Sequence, residues 1–202
     1  MKQLLATFAV VLALTAGAQA QSQQQVRVRG TIATYAPGTL TVTTPVGTSK
    51  IALAPNVRVQ YIVKSDFAHI APGSWIGTAA TQLPDGTLRA IEIHVFPPGV
   101  TPGAGFRPYD LGASSTMTNG SVDNIGSAQV DNVAAHTVTI SYPDGKKTVV
   151  VPPSTPVVSF ANADASALVP GAHVVLFAMR ADDGSLSATN VSVGKDGLVP
   201  PM

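Results

Sequence analysis

The stretch TLTVTTPVG at residues 39–47 returns later in the chain as TVTISYPDG at residues 137–145. A constant shift of 98 positions aligns Gly30–Val95 with Ala128–Val193 without a gap, and sixteen of the residue pairs are identical. Within each copy, apolar β-branched residues alternate with polar ones, which is the period-two pattern of strands with one buried face. The sequence therefore predicts an all-β fold that is present twice.

Turn dipeptides separate the alternating runs at the same places in both copies. Pro72-Gly73 recurs as Pro170-Gly171, and Asp85-Gly86 recurs as Asp183-Gly184. Glycine accepts a positive φ without steric cost, so Asp-Gly between two strands indicates a hairpin. A helical turn is expected only at Ser65–Ile70 and at its counterpart Ala163–Leu168, where Asp66 and Asp164 would be the N-caps.

Five or six short strands with one helical turn before the last two predict a small, partly closed β-barrel in each copy. An open flat sheet would leave long strand edges exposed. We expect two tandem barrels, the first at residues 26–96 and the second at residues 119–196. A Pro/Gly-rich linker at residues 97–118 would join them, and residues 197–202 would form an extended tail. The linker is either docked through Phe106, Tyr109 and Leu111 or free.

Residues 1–20 have the features of a signal peptide. Lys2 gives a positive start, Leu4–Leu14 is apolar, and Ala18-Gln19-Ala20 is a small-x-small cleavage site. The apolar run is shorter than the roughly 20 residues that span a bilayer, so no transmembrane segment is expected after cleavage. The chain contains no Cys, so its core must hold without disulfides. We expect a periplasmic or secreted protein.

Several short motifs resemble a known family. They are Gly30-Thr31-Ile32, Thr39-Leu40-Thr41-Val42, Pro72-Gly73 and the run Asp85–Ala90, most of which recur in the second copy. The chain resembles two copies of the bacterial domain of unknown function 5666, whose members are exported OB-like β-barrels. The second copy departs at its start, where Ala128-Gln129-Val130 stands in place of Gly-Thr-Ile. The resemblance implies export and two OB-like barrels, and it supplies no catalytic residues.

Charge divides unequally between the copies. Residues 26–96 carry a net charge of +3 and residues 119–196 a net charge of −3. Opposite potentials can orient two surfaces toward each other, and a contact between the barrels is expected; the alternative for the charge difference is solvated charge that drifted after duplication. Arg27, Arg29, Arg58 and Tyr61 form a candidate binding strip for an anionic glycan or a lipid headgroup, with a solvated face as the alternative. Nucleic acid is not expected, because net charge is near zero and aromatics are scarce.

One strand of the second copy is apolar at every position. Val174–Met179 is apolar throughout, whereas its twin Ile76–Thr81 is mostly small or polar. A strand that is apolar on both faces needs cover on both. Val175, Phe177 and Met179 are therefore candidate interface residues, covered by the linker, the first barrel or a partner. The alternative is an ordinary strand buried in its own barrel.

The residues that could carry chemistry form no complete constellation. Glu92 and His94 share a strand face, but a zinc site needs three or four ligands. We therefore predict no metal or other cofactor, and we expect both side chains to face solvent. Asp182-Asp183-Gly184 fits a hairpin turn better than a calcium loop. We expect a non-enzymatic binding module of the cell envelope with an envelope protein or glycan as partner. The alternatives are weak metal binding and, last, a hydrolase.

Overall fold

The computed structural model describes residues 24–202, and the predicted signal peptide at residues 1–20 lies outside this range. The described chain is all-β, as predicted, and its twelve strands form one mixed sheet. No helix in residues 24–202 is both long and apolar enough to cross a membrane. The strands are β1 (Gln24–Ala36), β2 (Thr39–Thr44), β3 (Gly47–Ser65), β4 (Trp75–Gln82), β5 (Leu88–Val95), β6 (Gly105–Pro108), β7 (Ser115–Val130), β8 (Val133–Tyr142), β9 (Gly145–Val151), β10 (Val157–Asn162), β11 (His173–Arg180) and β12 (Leu186–Gly194).

The strand pairings close into two cycles. Strands β1, β2, β3, β12 and β11 pair in that order, and β11 returns to β1; we call this set the first ring. Strands β4, β7, β8, β9 and β5 pair in that order, and β5 returns to β4; this set is the second ring. In each ring one contact is parallel, β3 with β12 in the first and β5 with β9 in the second.

Each ring encloses its own apolar core, and both cores draw on both repeats. The core of the first ring combines β1, β2 and β3 with β11 and β12, and it includes Ile32, Leu40, Ile51, Leu176 and Val191. The core of the second ring combines β4 and β5 with β7, β8 and β9, and it includes Ile76, Ile93, Val138, Ile140 and Val149. The expectation that each repeat closes a tandem barrel of its own is therefore not confirmed. The repeats exchange their last two strands.

The exchange occurs where β3 and β10 meet. The last part of β3 runs antiparallel to β10, and Ile62 pairs directly with Phe160. These two residues occupy equivalent positions in the two repeats, so a pseudo-two-fold axis passes between them. After this crossover, the 3-10 turn Phe67–His69 leads into β4 of the second ring, and the turn Ala165–Ala167 leads into β11 of the first. We call β3 and β10 the crossover strands.

The structure also corrects the start of the second repeat. The β1–β2 hairpin pairs Thr31 with Thr43, and the β7–β8 hairpin pairs Ser121 with Ser141, so the second hairpin is eight residues longer. Gly120-Ser121-Val122 therefore occupies the place of Gly30-Thr31-Ile32. An ungapped comparison assigns Ala128-Gln129-Val130 to that place because the extra residues lie within the hairpin.

Close backbone packing explains why glycine stands at both of these positions. A Cβ on Gly30 would lie 2.1 Å from the carbonyl oxygen of Thr43, and one on Gly120 would lie 2.2 Å from that of Ser141. Neither oxygen belongs to a flexible side chain that could move aside. Both repeats therefore keep a glycine where the backbones of the paired strands β1 and β2, or β7 and β8, approach closely.

The predicted caps and hairpin turns are confirmed. The Asp66 side chain accepts a hydrogen bond from the Ala68 amide at 2.8 Å, and Asp164 accepts one from the Ser166 amide at 2.8 Å. Residues 97–118 contain more regular structure than their composition suggested. Gly105–Pro108 form β6, which pairs with β7, and β7 itself begins at Ser115. The linker is therefore docked, because its backbone donors and acceptors join the sheet.

Candidate functional sites

Two residues of the predicted strip, Arg27 and Arg29, share one acidic partner within the chain. They stand two residues apart on β1, so both side chains lie on the same face. Arg29 donates to the Asp110 carboxylate at 2.7 and 2.9 Å, and Arg27 also contacts this carboxylate. Arg29 Nε donates to the backbone carbonyl of Met202 at 2.5 Å. The pair thus fastens the linker and the tail to the first ring.

Tyr109 completes this contact. The guanidinium of Arg27 lies 4.2 Å from the centre of the Tyr109 ring, within the range of a cation–π interaction. Burial raises the pKa of the Tyr109 phenol, the Arg27 charge opposes this shift, and the Glu92 charge adds to it. The linker therefore packs against the basic face of the first ring.

The other two residues of the strip point elsewhere. Arg58 and Tyr61 are three positions apart on β3, which places them on opposite faces of the strand. Arg58 is exposed, whereas Tyr61 packs partly buried against the core of the first ring. Lys195 Nζ lies 5.7 Å from the centre of the Tyr61 ring. The structure thus brings Arg27 and Arg29 together and does not bring Tyr61 to their surface.

The predicted interface residues lie beside the arginines. Phe177 pairs with Arg27 and Val175 with Arg29, while Met179 pairs with Gln25. Val175 is 4% exposed and belongs to a third apolar cluster with Ile62, Val158 and Met202. Phe177 is 41% exposed, with the Arg27 guanidinium 4.8 Å from its ring centre. The outer face of β11 is therefore covered by the chain itself at Val175 and open at Phe177, where contact with a partner stays a prediction.

Glu92 and His94 do share a strand face, but the expectation that they face solvent is wrong. Glu92 is 0% exposed and His94 is 5% exposed, and His94 Nε2 is in contact with Glu92 Oε2. The contact lacks the alignment of a hydrogen bond, so both Glu92 oxygens and His94 Nε2 are without a hydrogen-bond partner. Alternation along β5 indicates that Glu92 and His94 point away from the core that contains Ile93. It does not show that crossover strand β10 pairs with β5 at this place.

A groove opens between the crossover region and the tail. It has a volume of about 640 Å³, within the range of about 300–1,000 Å³ that is usual for ligand sites. Its walls come from the turn after β3, from His136 on β8, from the segment between β9 and β10, and from the tail. The lining includes Phe67, His136, Pro152, Pro153, Pro156 and Val199. The rings of Phe67 and His136 stack with centroids 4.1 Å apart.

Sequence reasoning missed this groove because four separate segments build it. The cluster of prolines at residues 152–156 is the one local signal that could have suggested it, since its counterpart at residues 54–58 has a single proline. Those prolines end β9 and separate it from β10, whereas β3 is continuous through the equivalent residues. The interruption makes room for one wall of the groove.

The remaining histidines and acidic residues have local roles. His69 contacts Asp66 on the surface, and His173 shares a hydrogen bond of 3.2 Å with Thr31 Oγ1. Asp183 accepts a hydrogen bond from the Ser185 amide at 2.9 Å, as expected of a hairpin turn. Within residues 24–202, no group of three or more His, Cys, Asp or Glu side chains could hold a metal ion.

Comparison of the chain with protein-family models, with curated proteins and with solved structures finds no match. The resemblance to the exported OB-like family therefore stays a prediction.

Proposed function

We propose that this chain is a non-catalytic binding module of the bacterial cell envelope, and that its groove takes an extended segment of a partner protein. The observation that carries this proposal is the groove itself. Prolines and aliphatic residues dominate its lining, and Lys64 and Asp66 add one charge of each sign. Such a surface supports binding by shape and apolar contact, with few polar groups to fix orientation.

The groove combines a firm wall with an exposed one. Proline has a fixed φ, and Phe67 is held by its stack on His136, so the wall needs little ordering when a ligand binds. Val199 of the tail also lines the groove and is 62% exposed. Burying such a side chain under a partner would be favourable, since apolar area yields about 25 cal/mol per Å².

The cyclic strand order supports the finer proposal that the two rings are OB-like barrels. Each ring has five strands and one parallel contact, and a 3-10 turn packs against its core directly before β11 in the first ring and before β4 in the second. OB-like barrels are typically binding modules. The signal-peptide features of residues 1–20 support export to the periplasm or beyond.

The test is capture from the native cell envelope with matched variants. Val199→Asp places a charge in the groove, and Val46→Asp places one in the β2–β3 turn, where Val46 is 97% exposed and lies outside the groove lining. We expect the wild type and Val46→Asp to retain the same partner and Val199→Asp to lose it. Equal retention by all three proteins, or by none, would contradict the groove as the binding site. A glycan in place of a protein would identify the alternative partner.

A further inference from the structure

The proline-lined walls of the groove offer few backbone hydrogen-bond donors. Pro152, Pro153 and Pro156 line the groove and have no N–H group. The amide of Thr155, which lies among them, already donates to the carbonyl of Pro152 at 3.0 Å. In the tail, Pro201 also lines the groove without an N–H group. A ligand that joins a sheet as an added strand is held by main-chain hydrogen bonds, and these walls have few to give.

The strand that reaches the groove after these prolines is already paired on both of its edges. Val157 and Val158 of β10 line the groove. Val157 pairs with Ser65 of β3 on one side and with Ile93 of β5 on the other, and Val158 likewise pairs with both strands. A strand with two neighbours cannot accept a third. Along residues 152–158, a bound segment therefore has to be held mainly by side chains.

The tail shows how a proline-containing segment binds beside the groove without strand pairing. Leu198 has φ of −59° and ψ of 125°, close to the polyproline II conformation, and no strand lies between it and the last described residue. Leu198 and Met202 pack on the apolar cluster that contains Ile62, and the Met202 carbonyl accepts a hydrogen bond from Arg29. Side-chain contacts and a side-chain donor to a carbonyl thus hold this segment.

The stacked rings of Phe67 and His136 form an aromatic platform in the groove. Their planes differ by only 8°, and Phe67 is partly buried against the core of the second ring, whereas His136 is exposed. The face of the imidazole that points away from Phe67 is therefore open to a ligand. Grooves lined by aromatic side chains are the usual docking places of polyproline II segments. The side chains of Lys64 and Thr155 add N–H and O–H donors to the same lining.

We propose that the extended segment taken by the groove is proline-rich and binds as a polyproline II helix. This inference rests on the proposed function of the groove and specifies the chemistry of its partner. A polyproline II segment has no internal hydrogen bonds and needs no strand pairing, and it is largely preformed, so it loses little conformational entropy on binding. Its proline rings stack on the open face of His136, and its carbonyls accept hydrogen bonds from Lys64 and Thr155.

The test is an NMR titration of the chain with two capped decapeptides, decaproline and an alternating Gly-Ser peptide. Decaproline forms a polyproline II helix in water, whereas the Gly-Ser peptide is a flexible coil. We expect decaproline at millimolar concentration to shift the amide resonances of Phe67, His136 and Thr155 until they saturate. The Gly-Ser peptide should leave these resonances unchanged.

A matched pair of histidine variants tests the aromatic platform. We expect His136→Ala to weaken decaproline binding about fivefold, because it removes the open ring face on which proline stacks. His69→Ala is the control, because His69 is also exposed and belongs to the same turn as Phe67, but it does not line the groove. This variant should bind decaproline like the wild type.

The outcomes separate this inference from the proposed function. Unchanged groove resonances with decaproline would overturn the inference, as would equal shifts with the Gly-Ser peptide or an equal loss in His69→Ala. Capture of the envelope partner, tested with Val199→Asp, is a separate measurement, so a groove that captures its partner and ignores decaproline binds a segment of another conformation. If His136→Ala fails to fold, the wild type decides: shifts at the groove support the inference, and shifts confined to other surfaces overturn it.

Discussion

Asp110 shows how one residue of a proline-rich segment fixes a large part of the molecule. Its carboxylate joins Arg27 and Arg29 on the first ring, while β6, which immediately precedes Tyr109 and Asp110, pairs with β7 of the second. Hydrogen bonding from Arg29 lowers the pKa of Asp110, desolvation opposes this shift, and the charges of Arg27 and Arg29 add to it. The ionised carboxylate is therefore favoured by folding.

Replacing Asp110 by Asn tests this contact through its pH dependence. A lowered pKa stabilises the folded chain fully above the ordinary carboxyl pKa of about 3.9, and the contribution is lost as the pH falls through the lowered value. Since Asp110 is half exposed, we expect Asp110→Asn to reduce stability at pH 7 by about 1 kcal/mol or less. Thermal melts should show a lower Tm for Asp110→Asn than for the wild type at pH 7, and this difference should disappear in acid. A gap independent of pH, or one shared by Asp144→Asn in an exposed turn, would contradict this role.

The β7–β8 hairpin shows how an element can differ between the repeats without changing the fold. Its additional residues extend past the ring, and Asp131 and Asn132 form its turn with φ of 51° and 64°. Positive φ at both positions matches the twist of a two-residue hairpin, and Asn and Asp tolerate it better than other non-glycine residues. The extension brings His136 onto Phe67, so it serves the groove and not the core of the ring.

Shortening this hairpin should therefore leave the fold intact. Deleting residues 127–134 and replacing Ala135 by Pro and His136 by Gly reproduces the Pro37-Gly38 turn of the first repeat. We expect cooperative unfolding and a loss of about 0.5–1.5 kcal/mol, as for one aromatic pair. Denaturant titration measures this loss. Deleting residues 157–164, which removes crossover strand β10, is the control and should abolish folding. Loss of cooperativity in the hairpin variant would show that the extension is part of the folding unit.

At the scale of the whole molecule, exchange of strands makes the two repeats inseparable. Ile32 of the first repeat and Leu176 of the second belong to one core, and Ile93 and Val149 belong to the other. Neither repeat can bury its apolar strands without the other, in contrast to independent domains on a string.

Cutting the linker should therefore not separate the two halves. A protease site inserted between Gly99 and Val100, both exposed, would give fragments that each hold strands of both rings. We expect the cleaved protein to elute at the same volume as the uncut protein in size-exclusion chromatography, and to separate only in denaturant. Fragments that elute apart in native buffer would contradict the exchange and support two independent barrels.

Local features were predictable because neighbouring residues determine them. The alternation of TLTVTT at residues 39–44 predicts β2, and the Asp85-Gly86 dipeptide predicts the hairpin between β4 and β5. Asp66 predicts the N-cap of the turn Phe67–His69. The groove and the burial of Glu92 were not predictable, because segments distant in sequence create them. An outward position on a strand faces solvent or another strand according to the tertiary arrangement alone.

The amino-acid sequence by itself determined that this protein is all-β, that its fold is duplicated, and which residues enter a core. The tertiary structure decided which of the two ring cores each strand completes. The physical reason is the duplication itself: Ile76 and Val174, or Ile93 and Val191, are equivalent apolar residues in equivalent strands, so β4–β5 and β11–β12 could fill either core. Only the antiparallel pairing of the crossover strands at Ile62 and Phe160 directs each pair of strands to the opposite ring.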